Sequence, residues 1–329
     1  MVTLADVAAC AGVAISTVSK YFNGGPVRDS SRQRIEEALT KLDYHPNFVA
    51  RSLKTRRSNV FGLLLPNIQS SFDVNLVTSV ENELSRRGYG MILTLYGNNQ
   101  EREAELLRFL RNQQVDGIIL LPSGKKHKEL EDFTALGKRA VLVDRIIEGL
   151  CISAIVTDNE HISYEVISFA ISQGHRNIAI MTNASVYTGR ERLKGYRRAM
   201  KDAGLDVPES YVKDTDWNLA CGRQAMIEIL DENPEVSLVF TCSEELSIGA
   251  YQIIRERGVR IPDDISVIAF DLYGVSLITS PEISAIQQPI SAIGKAAVDI
   301  LLSGNEDAGM HVFPSSLVSR NSIRNLFEQ

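Results

Sequence analysis

The chain opens, after Met1 and Val2, with Thr3-Leu4-Ala5-Asp6-Val7-Ala8-Ala9-Cys10-Ala11-Gly12. Thr3 and Asp6 have the spacing of a capping box, in which each side chain accepts a hydrogen bond from the other residue's backbone N–H. Gly12 can adopt a positive φ without strain, so it is expected to end a helix at about Ala11. These residues predict a short helix that begins near Leu4.

Two more helices are predicted downstream of this segment. The second runs from about Ile15 to Phe22 and ends before Asn23-Gly24-Gly25-Pro26. The third runs from about Ser31 to Leu42, and Asp29 or Ser30 is expected to cap it. Two short helices joined by a tight glycine turn, with a third helix as a buttress, form a helix-turn-helix.

The second predicted helix has one open face that suits the major groove of DNA. Hydroxyl and ammonium groups can bond base edges, and an apolar side chain can touch a thymine methyl group. The residues on this open face are Ile15, Ser16, Ser19 and Lys20. An ordinary helical hairpin with a merely solvated face is the alternative that the pattern leaves open.

Charge is unevenly distributed along the chain. Residues 1–58 contain nine Lys and Arg against five Asp and Glu, a net charge of +4, whereas the whole chain carries −6 and the remainder therefore −10. A small basic head on an acidic body suggests that only the head contacts a polyanion.

Several motifs of this head resemble the DNA-binding domain of the LacI/GalR bacterial repressors, and the similarity continues along almost the whole chain. The matching motifs are Thr3-Leu4-Ala5-Asp6-Val7-Ala8, Ala11-Gly12-Val13, Thr17-Val18-Ser19-Lys20, Asn23-Gly24 and Tyr44-His45-Pro46-Asn47. The resemblance implies that Ile15, Ser16 and Lys20 face DNA bases. It also implies a set of phosphate contacts, which fix register without reading sequence. These contacts would come from Thr3, Ser19, Asn23 and Ser31.

One departure from the family lies at Ala14. The family usually has a serine here that caps the recognition helix, and losing such a cap typically costs ~1 kcal/mol. We therefore expect this helix to be less well anchored in the absence of DNA.

Residues 47–58 correspond to the hinge of the family. A segment this short does not hold an isolated helix in water, and by resemblance it orders on operator DNA, pairs with its dimer mate and enters the minor groove. Asn47 and Ala50 would line that contact, and Lys54 would contact phosphates. Leu53 would be the wedge that unstacks a base step and kinks the duplex. The alternative for Leu53 is a linker leucine that packs on the following domain.

From Asn59 onward, short apolar strands alternate with helices. Such alternation implies parallel sheets that helices cover on both faces. The predicted fold class is therefore α/β, with two doubly wound parallel-sheet subdomains and a small all-α helix-turn-helix head. The resemblance adds a core like that of periplasmic binding proteins, with three crossovers near 158, 288 and 318.

The predicted domains follow from these boundaries. Residues 1–46 form the helix-turn-helix, 47–58 the hinge and 59–329 a core for effector binding and dimerisation. Within the core, the N-subdomain comprises about 59–158 and 289–317. The C-subdomain comprises about 159–288 and 318–329.

Ligands of open α/β sheets bind beyond the carboxyl ends of the strands, so a small-molecule site is expected in the cleft between the two lobes. Residues near strand ends, read together with the family frame, give the candidates Phe72, Asp73, Asp144, Thr188, Arg192, Trp217, Ser243, Asp271 and Gln288. An arginine fork, carboxylates and an aromatic plate suit a hydroxyl-rich ring, so a sugar or sugar derivative is favoured.

For several candidates, a purely structural role stays open. Phe72 and Trp217 can be core residues, and Asp144 can form a surface ion pair with Arg145. Asp73 and Ser243 can simply serve helix N-termini.

Other classes of protein are disfavoured by what the sequence lacks. It contains no GxxxxGK[ST], HExxH, GxSxG or GxGxxG motif, and its four cysteines and five histidines show no metal-ligand spacing. No run approaches the length of a membrane span, and no secretory signal is recognisable. We therefore expect no enzyme activity, cofactor, metal or membrane association, and a cytoplasmic location.

The expected protein is a repressor that binds a pseudo-palindromic operator on double-stranded DNA as a homodimer and responds to a small metabolite. The alternatives are control by a protein corepressor, a solute-binding protein for transport and a sugar-active enzyme.

Overall fold

The computed structural model of the chain describes residues 2–22, 25–44, 57–274, 278–303 and 309–327. Contacts divide the chain into two compact units, Met1–Ser58 and Asn59–Gln329. Each unit has its own buried core.

The first unit contains helices α1 (Leu4–Ala11), α2 (Ile15–Phe22) and α3 (Asp29–Lys41). The predicted capping box is confirmed, because the Asp6 carboxylate accepts hydrogen bonds from the Thr3 N–H at 2.8 Å and the Thr3 hydroxyl at 2.7 Å. In return, the Asp6 N–H donates to the Thr3 hydroxyl at 3.3 Å. Gly12 has a φ of +61°, as its role in ending α1 requires.

The three helices enclose a small apolar core. Its fully buried side chains are Val7, Ala8, Ala11, Val18, Ile35 and Ala38. Phe22, Leu39 and Tyr44 pack around it. Since α2 contributes only Val18 to the buried set, most of its surface faces outward.

The starts of α2 and α3 carry no side-chain cap. The prediction that Asp29 or Ser30 caps α3 is wrong, because Arg28 is the N-cap residue and its side chain makes no cap hydrogen bond. Asp29 instead lies inside the first turn, where a carboxylate is favoured by the helix dipole. At α2, the Ala14 carbonyl accepts from the N–H groups of Thr17 and Val18, but alanine has no side-chain acceptor.

The second unit is built on two six-stranded sheets. The strands of the first sheet are β1 (Val60–Leu65), β2 (Gly90–Leu95), β3 (Gly117–Leu120), β4 (Arg139–Val143), β5 (Ser153–Thr157) and β11 (Met310–Phe313). Those of the second are β6 (Ile178–Thr182), β7 (Val212–Asp214), β8 (Leu238–Thr241), β9 (Ser266–Phe270), β10 (Ser284–Gln287) and β12 (Ser316–Val318). Their spatial orders are β11-β5-β4-β3-β1-β2 and β12-β10-β9-β8-β6-β7. The pairing is parallel except between β10 and β12.

Helices cover both faces of each sheet. The helices of the first lobe are α4 (Ser71–Arg86), α5 (Gln100–Asn112), α6 (Lys128–Ala135) and α11 (Ile290–Ser303). Those of the second lobe are α7 (Asn159–Ser172), α8 (Tyr187–Asp202), α9 (Leu219–Glu232) and α10 (Glu244–Glu256). Each sheet has one apolar core on either side, so most residues of its central strands are buried. The predicted α/β class is confirmed.

The chain passes between the lobes three times. It leaves the first sheet after Thr157, returns after Gln287 and crosses again between Phe313 and Ser316. The sequence predicts these crossings near 158, 288 and 318. The two short edge strands β11 and β12 flank the third crossing, and neither contains a fully buried residue that would give an apolar pattern to locate it.

Candidate functional sites

The outward face of α2 has the composition expected of a surface that reads DNA. Ile15 is 54% exposed, Ser16 and Lys20 are also exposed, and Val18 on the opposite side is fully buried. Ser19 is half-buried at the edge of this face. The helix therefore offers an apolar group, a hydroxyl and an ammonium group to a groove without disturbing its core.

The expected phosphate contacts have different surroundings. The Thr3 side chain is exposed, but its hydroxyl donates to Asp6. Ser31 lies in the first turn of α3, where the uncapped backbone N–H groups suit an anion. Asn23 lies outside the described residues, as do the hinge candidates Asn47, Ala50, Leu53 and Lys54.

A cavity of about 830 Å³ separates the two lobes of the second unit. Its wall includes residues directly after β1, β3 and β4 of the first sheet and after β6, β8 and β9 of the second. The carboxyl ends of both parallel sheets therefore face the same space, as the general rule for open α/β sheets requires.

Arg192 is the most heavily restrained polar group of this wall. Its Nη1 donates to the Cys242 carbonyl at 2.6 Å, and its Nε donates to the Asn159 side chain at 2.8 Å. The guanidinium stacks on Phe270, with its central carbon 3.4 Å from the ring centroid. Because these two hydrogen bonds and the stacking contact fix the guanidinium, its donors have one orientation toward the cavity.

Asp271 lies beside this arginine, with its Oδ2 3.7 Å from the Arg192 Nη2. The same oxygen accepts from the Gln288 amide at 2.7 Å, and Oδ1 accepts from the Tyr273 hydroxyl at 3.1 Å. Burial raises the pKa of Asp271 to about 7, although the charge of Arg192 opposes that rise. The carboxyl is thus positioned to accept a hydrogen bond from a ligand hydroxyl.

Two aspartates of the first lobe reach the same space. Asp144 is buried and forms an ion pair with Arg145 at 3.4 Å, and both line the cavity. Asp73 completes a capping box with Ser70 at the start of α4, where its Oδ2 accepts from the Ser70 hydroxyl at 2.7 Å. Burial raises the pKa of Asp73 to about 6. Asp73 therefore both stabilises the N-terminus of α4 and lines the cavity.

The aromatic candidates also lie on the wall. Phe72 is buried in the apolar core of the first lobe and also lines the cavity. Trp217 packs on the core of the second lobe, with its ring 5.6 Å from the Arg192 guanidinium carbon. The Trp217 Nε1–H is buried and has no hydrogen-bond partner. A ring with an apolar face and a hydroxyl at its edge would satisfy both parts of the indole.

Three candidates are hydrogen-bonded within the protein or do not reach the cavity wall: Ser243, Thr188 and Gln288. Ser243 lines the cavity, but its hydroxyl caps α10 by accepting from the Leu246 N–H at 3.2 Å. Thr188 is fully buried and does not reach the cavity wall. Gln288 lies behind Asp271, where its side chain also accepts from the Thr157 hydroxyl at 2.9 Å. Although Gln288 does not line the cavity, it acts on the site by orienting Asp271.

Sequence reasoning missed two contacts that join the lobes across the cavity. Glu244 accepts from the Ser71 N–H at 2.5 Å and from the Ser71 hydroxyl at 2.7 Å. Arg190 lies 3.5 Å from Glu148. Glu244 directly follows Ser243 at the end of β8, so the rule of examining strand ends, applied one residue further, would have found it.

Within the described ranges of the chain, no group of three His, Cys, Asp or Glu side chains is arranged to hold a metal ion. None of the described helices has the length and apolar character needed to cross a membrane.

A helix-turn-helix head together with a two-lobed core that encloses a polar cavity defines a DNA-binding transcriptional regulator. Residues 3–47 match the family described as bacterial regulatory proteins, lacI family, and residues 58–313 match periplasmic binding proteins and sugar binding domain of LacI family. The chain belongs to the LacI family.

Individual relatives match along nearly their whole length. Catabolite control protein A of Priestia megaterium is 30% identical over 303 residues, covering 91% of each chain. The ribose operon repressor of Haemophilus influenzae is 30% identical over 332 residues, covering 99% of this chain and 100% of that protein. A solved complex of the transcriptional regulator CelR with cellobiose superposes with a TM-score of 0.74 at 28% identity, covering 98% of this chain and 100% of that chain.

Proposed function

We propose that this LacI-family regulator is a cytoplasmic repressor whose operator affinity is set by a small sugar or sugar derivative bound between its lobes. The observation that carries this proposal is the arrangement of Arg192, Asp271 and Trp217 on one wall of the cavity. A rigid donor fork, a carboxyl acceptor and an aromatic plate are complementary to a ring of hydroxyl groups. The names of the ribose repressor and the cellobiose complex support the same ligand class.

The proposed division of labour follows the predicted domains. Residues 1–46 bind operator DNA, residues 47–58 form the hinge and residues 59–329 bind the effector and dimerise. Two heads of one homodimer would each bind one half-site of a pseudo-palindromic operator. The core has the role of a sensor rather than of a catalyst.

The effector would act by changing how firmly the lobes close. Glu244 and Ser71 belong to opposite lobes, and their contact forms only when the starts of α4 and α10 meet. A ligand that bridges the lobes shifts the balance toward closure only through its higher affinity for the closed state. Closure would alter the spacing of the two hinge segments in a dimer and so change operator affinity.

The function is tested with the full-length protein and an operator selected from a random duplex pool. We expect selection of a pseudo-palindrome, and we expect calorimetry to find at least one ligand in a panel of sugars that also changes operator affinity. Sugars without any effect on either measurement would contradict the proposed effector and point to a protein corepressor. No preference for any duplex over random competitor would contradict the regulator itself.

Leu53→Ala is expected to weaken operator binding while leaving effector affinity unchanged. The proposed wedge unstacks a base step, and alanine is too short to replace leucine in that role. Fluorescence anisotropy measures operator affinity, which should fall roughly tenfold or more, since the energy of unstacking a base step is about a few kcal/mol. Unchanged operator affinity would instead mean that Leu53 packs on the core.

Glu244→Ala is expected to weaken effector binding about tenfold, because charge-assisted hydrogen bonds contribute about 1.5–3 kcal/mol and a less populated closed state lowers apparent affinity. Calorimetry measures the change. Glu148→Ala is the matched control, since its ion pair with Arg190 is exposed and contributes little. Equal effects of the two substitutions would show that the Glu244–Ser71 contact has no special part in closure.

A further inference from the structure

The charge of the cavity wall bears on which sugars it can hold. Seven Asp and Glu side chains line the cavity against four Lys and Arg side chains. Three of these four cations already have a partner among the lining residues: Arg192 with Asp271, Arg145 with Asp144 and Arg190 with Glu148. The fourth, Lys125, is exposed at the rim. Among the described residues that line the cavity, an anionic ligand group would therefore find no unpaired cation other than the exposed Lys125.

Two of the remaining carboxylates lie in the first turns of α4 and α10, which belong to opposite lobes. The contact between Ser71 and Glu244 holds the first turn of α4 against the first turn of α10. Asp73 lies two residues beyond Ser71, and Glu245 directly follows Glu244, and both line the cavity. Neither Asp73 nor Glu245 forms an ion pair with any described residue.

The environment of this pair disfavours two bare negative charges. Burial raises the pKa of both Asp73 and Glu245, and the charge of Glu245 raises the pKa of Asp73 further. A cation from outside the protein would remove that repulsion. Trp217 independently points to a ligand ring, because it lines the cavity and its buried Nε1–H lacks an acceptor among the described residues.

Resting on the proposed function, we infer that the effector is an amino sugar, with its ring against Trp217 and its ammonium group between Asp73 and Glu245. The ring supplies the hydroxyl acceptor that the indole N–H lacks. The ammonium group offers three donors to carboxylates carried by different lobes, so it favours closure as well as binding. A phosphorylated sugar would be repelled by the same pair.

The test compares matched ligands on the full-length protein by calorimetry at about pH 7, where an amine is largely protonated. Each series consists of a hexose, its 2-amino derivative, its N-acetylated amine and its 6-phosphate, for glucose, galactose and mannose. In the series that binds, we expect the amine to bind at least roughly tenfold more tightly than the hexose, because opposite charges attract strongly in a desolvated site. We expect no binding of the phosphate.

Two substitutions locate the effect. Asp73→Asn and Glu245→Gln should each lower the ratio of amine affinity to hexose affinity roughly tenfold, whatever they do to hexose affinity itself, since amides keep the shape but lose the charge that attracts the ammonium group. Glu105→Gln is the matched control, because Glu105 is an exposed residue of α5 outside the cavity and its loss changes the net charge equally. It should leave the preference unchanged.

The outcomes separate this inference from the proposed function. A hexose, N-acetylated amine or phosphate that binds as tightly as the amine overturns the amino-sugar assignment and leaves a sugar-responsive regulator. A preference for the amine that survives both cavity substitutions overturns the placement of the ammonium group. Binding by no member of any series overturns the sugar effector itself.

Discussion

Arg192→Ala is expected to abolish the effector response, with effector affinity lowered by at least about 100-fold, while operator affinity of the ligand-free protein stays unchanged. The guanidinium is hydrogen-bonded to Cys242 and Asn159, stacked on Phe270 and paired with Asp271. Removing it takes donors from the cavity and leaves a buried carboxyl without its cation, and such losses typically cost about 3–5 kcal/mol. The head that binds DNA belongs to the other compact unit, so its surface is not altered.

Two companion variants make this result interpretable. Arg192→Lys keeps the charge but loses the planar fork, so its effector affinity should also fall steeply. Arg190→Ala removes an arginine that is 41% exposed on the same wall, and it should cost less than about threefold. Calorimetry gives the affinities, and thermal unfolding checks that the second lobe stays folded. A normal effector response by folded Arg192→Ala protein would show that the cavity assignment is wrong.

Asp271→Asn is expected to flatten the pH dependence of stability. The folded pKa of Asp271 lies near 7, above the ordinary value of 3.8, because burial disfavours its charge. Between these two values the folded state holds a proton that the unfolded state has lost, so stability decreases as pH rises through this window and levels off above about 7. Asp73, whose pKa is raised to about 6, adds a second decrease that ends at lower pH.

The unfolding temperature of the unliganded protein should therefore fall by several degrees between about pH 5 and pH 8, and Asp271→Asn should remove most of that fall. Asparagine tolerates the left-handed backbone of this position, where φ is +61°. Asp264→Asn is the control, since the exposed Asp264 has its pKa lowered to about 2 by Arg260 and does not titrate in this range. A variant at 271 that follows the wild-type profile would contradict the protonation of Asp271.

The prediction of secondary structure succeeded where the apolar period was strong. Helices α1 and α2 lie at the positions that the sequence predicts, because capping and turn residues fix the ends of α1 and an amphipathic helix such as α2 has a clear face. The strand β11 was not predicted, since the exposed side chains of this sheet edge lack such a pattern. Helix α11 was also missed, although it packs against α4 in the first lobe.

For the candidate site, the sequence could predict which strand ends meet at the cavity. Parallel strands bring their carboxyl ends to one edge, so Asp144 and Asp271 could be expected on the cavity wall, and the structure places both there. Thr188 also follows a strand end, but its side chain is buried and does not line the cavity. Successive residues of a helix are rotated by about 100° around its axis, so only some residues of the first turn face the cavity. That choice depends on packing rather than on spacing.

The amino-acid sequence by itself determined the helix-turn-helix, the α/β class of the core and the family, because capping residues, turn glycines and apolar periods act over a few neighbouring positions. Only the tertiary structure decided that Glu244 bonds Ser71, that Gln288 orients Asp271 and that Asp73 and Glu245 lie without a cation. Those pairs are separated by between 17 and 173 positions along the chain. No local pattern records such proximity, since it arises from how strands and lobes that are distant in the sequence pack together.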